Sequence, residues 1–402
     1  MSISGTYLVS QPLELPCGVV LKNRIVKSAM SDSLGDGCGD PTDPQIRLYG
    51  RWAKGGLALS IVGEVQGNPD FAEKPGNLVL NAGSDPARFR ALARGGSTNN
   101  AHLWLQLGHA GAIADAPIST PKGPSALDLP GMTCGALTLA EIEDQPEEFA
   151  RTAALAKELG FGGVEIHAAH GFLLSQFLSP LFNKRADDYG GSLENRMRLL
   201  LASTERVRRA VGPNFPVGLK LNATDQLDGG FQQDEALDVI AALDSRNIDL
   251  IDISGGTYFP GAPSSSDRAG SGPYFLDFAG KARVRTDIPL MVTGGFKTYQ
   301  QAEQALAEGK TDLIGLARAL VIDPDLPGKW VSGRAENPQF PRFDNPPENG
   351  VTAWYTMQIA QIAEGGPGLS PADLPAAMRD YQERDRQRHR IWNDCFNSRS
   401  LR

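Results

Sequence analysis

The chain is poor in the residues that usually announce chemistry. It has five histidines and four cysteines in 402 residues. The cysteines, Cys17, Cys38, Cys134 and Cys395, form no CxxC pair and no metal-ligand spacing. Their scatter reads as a reduced, cytoplasmic protein. No apolar run approaches the ~18 residues that a membrane span needs. Met1–Thr6 lacks the basic and apolar regions of a secretory signal. No long basic run appears before the C-terminus and the net charge is −8, which argues against nucleic acid as a partner. No GxSxG elbow occurs, and no GxGxxG follows a strand; Gly35–Gly39 has the wrong spacing. The acidic loop with Asp32, Asp36, Asp40 and Asp43 lacks the Glu that closes a calcium loop.

What the chain has is alternation. Eight short apolar segments read as strands: Asn23–Met30, Leu57–Gly63, Ala101–Leu107, Gly163–His167, Val217–Leu221, Leu250–Ser254, Pro289–Thr293 and Thr311–Gly315. Helix-like stretches separate them, with helices expected over Pro146–Lys157, Leu193–Val211, Gln233–Leu243 and Tyr299–Glu308. Alternating strand and helix implies a parallel sheet, and eight units imply an α/β fold closed into a (β/α)₈ barrel. The barrel is expected over residues 1–340, plugged at its base by a hairpin that turns at Cys17–Gly18. The stretch holding Pro117, Pro121, Pro124 and Pro130 reads as an extended loop over the same face as the histidines. Residues 341–402 read as a polar C-terminal extension, helical near Tyr381–Trp392.

In such barrels the reactive groups stand at the carboxyl ends of the strands. The unusual residues gather there. Ser28, Ala29, Met30 and Ser31 follow the first strand, Gly63 ends the second and Gln106 the third. His167 and His170 mark the fourth, Lys220 the fifth, Gly294 and Gly295 the seventh, Ala317 and Arg318 the eighth. Each alone has a bland reading as a satisfied structural polar. A shared interior for all of them implies a use, because unpaired burial is costly. Two histidines three residues apart offer two N–H donors to a carbonyl or anionic oxygen. Gly294–Gly295 with Arg318 occupy the position where barrels commonly bind phosphate. A zinc site at Glu165, His167 and His170 is a rival, but no further His or Cys completes it. A non-catalytic phosphate-binding barrel is a second rival.

Leu21–Met30, Leu105–Gly111 and above all the thirty residues His167–Arg196 resemble the old yellow enzyme family, flavin-dependent reductases of activated alkenes. The resemblance covers most of residues 8–335. It implies FMN bound without a covalent link, NAD(P)H as reductant, and an α,β-unsaturated carbonyl compound as the small-molecule substrate. It also implies roles. The backbone of Ser28, Ala29 and Met30 would support the isoalloxazine, with Ser31 near its O4/N5 edge and the substrate. Gly63 would approach O4, Gln106 would bond the pyrimidine ring, and Lys220 would stand by N1 and O2. Gly294, Gly295, Ala317 and Arg318 would hold the phosphate, and His167 and His170 the substrate oxygen.

Many family members of this His-x-x-His type carry a proton-donating Tyr two residues after the second histidine. Here that residue is Phe172, which lines the substrate site but donates nothing. Loss of a general acid costs ~10²–10⁴-fold unless something replaces it. Tyr258 or a water is the expected substitute. A reaction that needs no such acid, such as quinone reduction, isomerisation or desaturation, is the alternative. Lys220 stands where Arg is common, and Ala112 where Arg is frequent, which bears on loop anchoring or a subunit contact. A homo-oligomer stays open.

Overall fold

A computed structural model of the chain describes residues 7–243, 248–259 and 272–396. Met1–Thr6, read above for a signal, lies outside them. Eight parallel strands form the centre: β1 (Ile25–Lys27), β2 (Leu59–Gln66), β3 (His102–Leu107), β4 (Gly163–Ala168), β5 (Val217–Asn222), β6 (Leu250–Ser254), β7 (Leu290–Thr293) and β8 (Leu313–Leu316). Each pairs with its neighbours in sequence order, and β8 pairs with β1, so the sheet closes. Around it lie α1 (Asp43–Lys54), α2 (Pro86–Gly96), α3 (Leu139–Glu158), α4 (Arg198–Val211), α5 (Gln233–Leu243), α6 (Leu276–Arg283), α7 (Tyr299–Ala307) and α8 (Leu326–Val331). The chain is a (β/α)₈ barrel.

Every residue of β4, β5 and β6 is buried, as expected where helices cover one face and the barrel interior fills the other. The base of the interior is apolar. Leu13–Glu14 pairs antiparallel with Val20–Leu21, and this hairpin sends Leu15 and Leu21 against Val26, Leu59, Trp104, Leu250, Met291 and Leu313. The plug fills the base, and the polar column described below lies toward the carboxyl ends of the strands.

Several expected elements differ. The helix expected from Pro146 begins at Leu139, with Pro146 inside it. The start is set by a capping box, in which Thr138 and Glu141 satisfy each other's backbone N–H groups. Leu193–Val211 is a short turn of helix, Leu193–Arg196, followed by α4. The proline-rich stretch is no plain loop: Lys122–Gly123, Leu127–Leu129 and Met132–Ala136 make a small three-stranded sheet. The extension holds two helices, α9 (Gly350–Glu364) and α10 (Leu374–Phe396). The expected free cysteines are corrected too. Cys38 and Cys395 form a disulfide across 357 residues of sequence, while Cys17 and Cys134 stay free.

Candidate functional site

A column of polar side chains crosses the barrel interior in register. Gln106 on β3 pairs with Glu165 on β4, His167 on β4 with Lys220 on β5, and Lys220 with Asp252 on β6. Because strand neighbours in register point to the same side, the side chains meet. Gln106 donates to Glu165 at 2.7 Å, and Lys220 makes an ion pair with Asp252. Thr293 on β7 donates to Asp252 at 2.6 Å, and its hydroxyl lies 2.8 Å from that of Ser28. Burial disfavours the Lys220 ammonium, but the Asp252 and Glu165 carboxyls outweigh it and hold its pKa above the ordinary value. Burial also lifts Glu165 above the usual carboxylate range.

The histidines cap this column. His167 is 1% exposed, and its ring centroid lies 5.2 Å from that of His170 and 4.3 Å from that of Phe172. His170 takes φ +59°, a left-handed conformation rare outside glycine. Its backbone is pinned there: the N–H donates to Asn222 at 3.0 Å, and the carbonyl accepts from the Tyr258 N–H at 3.1 Å. Its Nε2 lies 2.8 Å from the Ser254 hydroxyl. Burial, then the Lys220 charge, push the His170 pKa down to about 3. Burial, then the neighbouring His170 and Lys220, push His167 well below its ordinary value. Both rings are therefore neutral at physiological pH, each with one N–H to donate. Phe172 is fully buried against Ala110 and Ala114, whereas Tyr258 is 63% exposed at the mouth.

Ser28, Ala29 and Met30 follow β1, and Ser31 bridges to Gly63 on β2. A Cβ on Gly63 would fall 2.8–2.9 Å from the Met30 backbone, so only glycine lets these strands approach. Gly294 and Gly295 leave β7 with φ of +105° and +87°. Ala317 and Arg318 follow β8, and the Arg318 guanidinium sits 5.7 Å from the Tyr355 ring of α9. The residues singled out in the sequence thus lie in the carboxyl halves of the barrel strands or in the segments that follow them.

The sequence reading missed other members of this neighbourhood. Asp252 and Ser254 are polar residues within an apolar strand, and Glu165 was weighed only as a metal ligand; their unusual setting was the available signal. The helix expected near Tyr381–Trp392 is α10, but its place over the site was not foreseen. It crosses the mouth over the loops after β1, β2 and β3. Arg388 bonds the Ser33 carbonyl, His389 meets Asp115 at 2.6 Å, and Trp392 is buried with Ala72, Val79 and Ile118. Cys395 completes the clamp on Cys38.

Comparison with known proteins agrees with this layout. The NADH-dependent flavin oxidoreductase iliE of Neonectria is 33% identical over 396 residues, covering 88% of this chain and 51% of that protein. The chain therefore spans about half the length of that relative. The protein of the same name from Hypocrea jecorina is 34% identical over 352 residues, covering 79% of this chain and 87% of that one. Among solved structures, a 2-naphthoyl-CoA reductase complex with 2-naphthoyl-CoA superposes with a TM-score of 0.76 at 28% identity, over 81% of this chain and 52% of that one. The old yellow enzyme homologue from Zymomonas mobilis shares the fold at a TM-score of 0.72 and 23% identity, over 83% and 94% of the two chains. The family model for NADH:flavin oxidoreductases and NADH oxidases matches residues 10–337, so the chain belongs to this FMN-dependent family, that of the old yellow enzymes.

Proposed function

We propose that the chain takes hydride from NAD(P)H and passes it, through FMN, to the alkene of an α,β-unsaturated carbonyl compound. The carrying observation is the pair of neutral imidazoles, His167 and His170, above the Lys220 column. The residues present fit FMN. Gly63 and the Met30 backbone offer a flat, close wall, and Gly294 and Gly295 open the backbone where a phosphate would need N–H groups. Among the described residues, Ser31 Oγ and His167 Nδ1 are buried atoms without a hydrogen-bond partner, which suits a site that a ligand completes. When bound, reduced FMN supplies the hydride. Lys220 would then hold a positive charge beside the anionic ring.

The histidines do the remaining electrostatic work. As hydride reaches the β-carbon, negative charge develops on the substrate oxygen. Two N–H donors stabilise that charge more than they stabilise the ground-state carbonyl, and the difference lowers the barrier. Because both pKa values are depressed, both rings act as neutral donors near neutral pH. Phe172 supports a second reading, in which the substrate needs no protonation at carbon, as with a quinone.

Purified enzyme should be yellow, should release FMN on denaturation and should be bleached by NADH or NADPH. Reoxidation of the dithionite-reduced protein by enones, quinones and oxygen, with product analysis, separates the two readings. His167→Ala and His170→Ala should each weaken binding of a para-substituted phenol by roughly 10–150-fold, the equivalent of ~1.5–3 kcal/mol per charge-assisted donor, while FMN stays bound. An unchanged phenol dissociation constant removes the histidines from the site.

A further inference from the structure

The wall beside Phe172 carries an acid of its own. Strand β2 does not run straight into its loop: its register against β3 shifts between Val62 and Val65. Such a bulge bends the strand and re-aims a side chain, and bulges concentrate beside active sites. The two residues in the bulge are Gly63 and Glu64. A Cβ built on Gly108, just past β3, would lie 3.8 Å from the Glu64 Cβ and 3.9 Å from the Phe172 ring. The Glu64 Cβ and the Phe172 ring thus both adjoin the same glycine.

Glu64 is 6% exposed. Its Oε2 lies 3.5 Å from Asn77 Nδ2, and the Glu73 carboxyl is near enough to act on it electrostatically. Glu73 is paired with Lys74 at 3.5 Å, which leaves Glu64 without a cation of its own at that distance. Lys74 stands 5.9 Å from the Tyr381 ring of α10, which closes this side of the mouth. Burial first, and the Glu73 carboxyl second, push the Glu64 pKa well above the usual carboxylate range. A carboxyl kept neutral in this way can donate at neutral pH.

We propose that Glu64 is the acid that Phe172 cannot be, delivering a proton to the α-carbon of the substrate alkene. This rests on the reductase reading above. The alkene π bond opens. The hydride, with two electrons, joins the β-carbon; the Glu64 proton joins the α-carbon, and the O–H electron pair remains on Glu64 as carboxylate. The product is the saturated carbonyl compound. NAD(P)H is the two-electron reductant, and water restores the proton to Glu64, which is 6% exposed.

The test uses the FMN-loaded enzyme and the variants Glu64→Gln, Glu64→Asp and Tyr258→Phe. In stopped flow, Glu64→Gln should leave flavin reduction by NAD(P)H and reoxidation by a quinone unchanged. Reoxidation by cyclohexenone should slow by ~10²–10⁴-fold, and Glu64→Asp should recover part of the loss. Infrared difference spectra of wild type should show a neutral-carboxyl C=O band at neutral pH that Glu64→Gln removes, a readout independent of turnover. Unchanged cyclohexenone kinetics in Glu64→Gln, or slowing by Tyr258→Phe alone, overturns the assignment and leaves the reductase reading intact. Should Glu64→Gln not fold, full-rate Glu64→Asp together with no neutral-carboxyl band in wild type overturns it equally. Wild type that reduces quinones but no enone overturns the reductase reading itself, and the assignment with it.

Discussion

The barrel interior and the barrel mouth solve the problem of buried charge differently. In the interior, Gln106, Glu165, Lys220, Asp252, Thr293 and Ser28 sit on adjacent strands, and strand register sets who meets whom. At the mouth, Glu64, Glu73 and Lys74 come from a bulge and a loop, and Tyr381, Arg384, Arg388 and His389 from a helix more than 300 residues away. Arg384 shows the contrast. Its three side-chain nitrogens are buried without a hydrogen-bond partner among the described residues, and its nearest carboxylate, Asp385, is 3.8 Å away. Regular strands hold charges in a fixed lattice. A mouth built from loops and one clamping helix leaves groups poised, and that is where substrate must be met.

The strongest way to break this comparison is at Lys220. Glu165 and Asp252 depend on its charge, and removing one partner of a buried pair typically costs roughly 3–5 kcal/mol. Lys220→Gln should lose stability on that scale in urea unfolding and should release FMN. A variant as stable as wild type would mean that the interior column carries no such dependence.

The mouth should respond to its clamp instead. Cys395→Ser, or reduction of the Cys38–Cys395 bond, removes a cross-link of the kind worth about 2–4 kcal/mol. Hydrogen exchange should rise in α10 and in the loops around Ser33 and Gly76, while β4–β6 and the bound FMN stay protected. Uniform loosening of the whole barrel would erase the distinction between the two regions.

The smallest effect should come from pH. His109 lies at the mouth with its ring stacked on Phe71 at 4.1 Å, and burial depresses its pKa to about 3. The unfolded chain binds this proton below about pH 6.5 and the folded protein does not. The stabilisation is therefore present above pH 6.5 and is lost as pH falls toward 3, by about 2 kcal/mol at pH 5. His109→Gln should remove that part of the pH dependence in unfolding curves measured at pH 7 and pH 5. A slope equal to that of wild type would show that the ring protonates in the folded protein.

How much was legible in the sequence follows the same division. The eight apolar segments and their spacing were enough for the barrel, because parallel strands covered on both faces must be apolar throughout. His167, Gln106, Lys220 and Arg318 stood out for the complementary reason: polar residues at the ends of such strands are costly without a use. The boundary of α3 was misplaced because Pro146 drew attention from the capping pair Thr138 and Glu141. Helix α9 was missed because its residues, among them Trp354, Tyr355 and Ile359, are buried against the barrel rather than patterned for an exposed surface.

The sequence by itself determined the strand count, the order of the units and the residues at each strand end, since these depend on local pattern and on period. Tertiary structure alone decided that Asp252 would hold Lys220, that Glu64 in the bulge after Val62 would adjoin the same Gly108 as Phe172, and that Cys395 would reach Cys38. Those outcomes depend on which strands become neighbours and where distant segments pack. Such contacts are set when the sheet closes and its burial is shared, and no window of local sequence contains them.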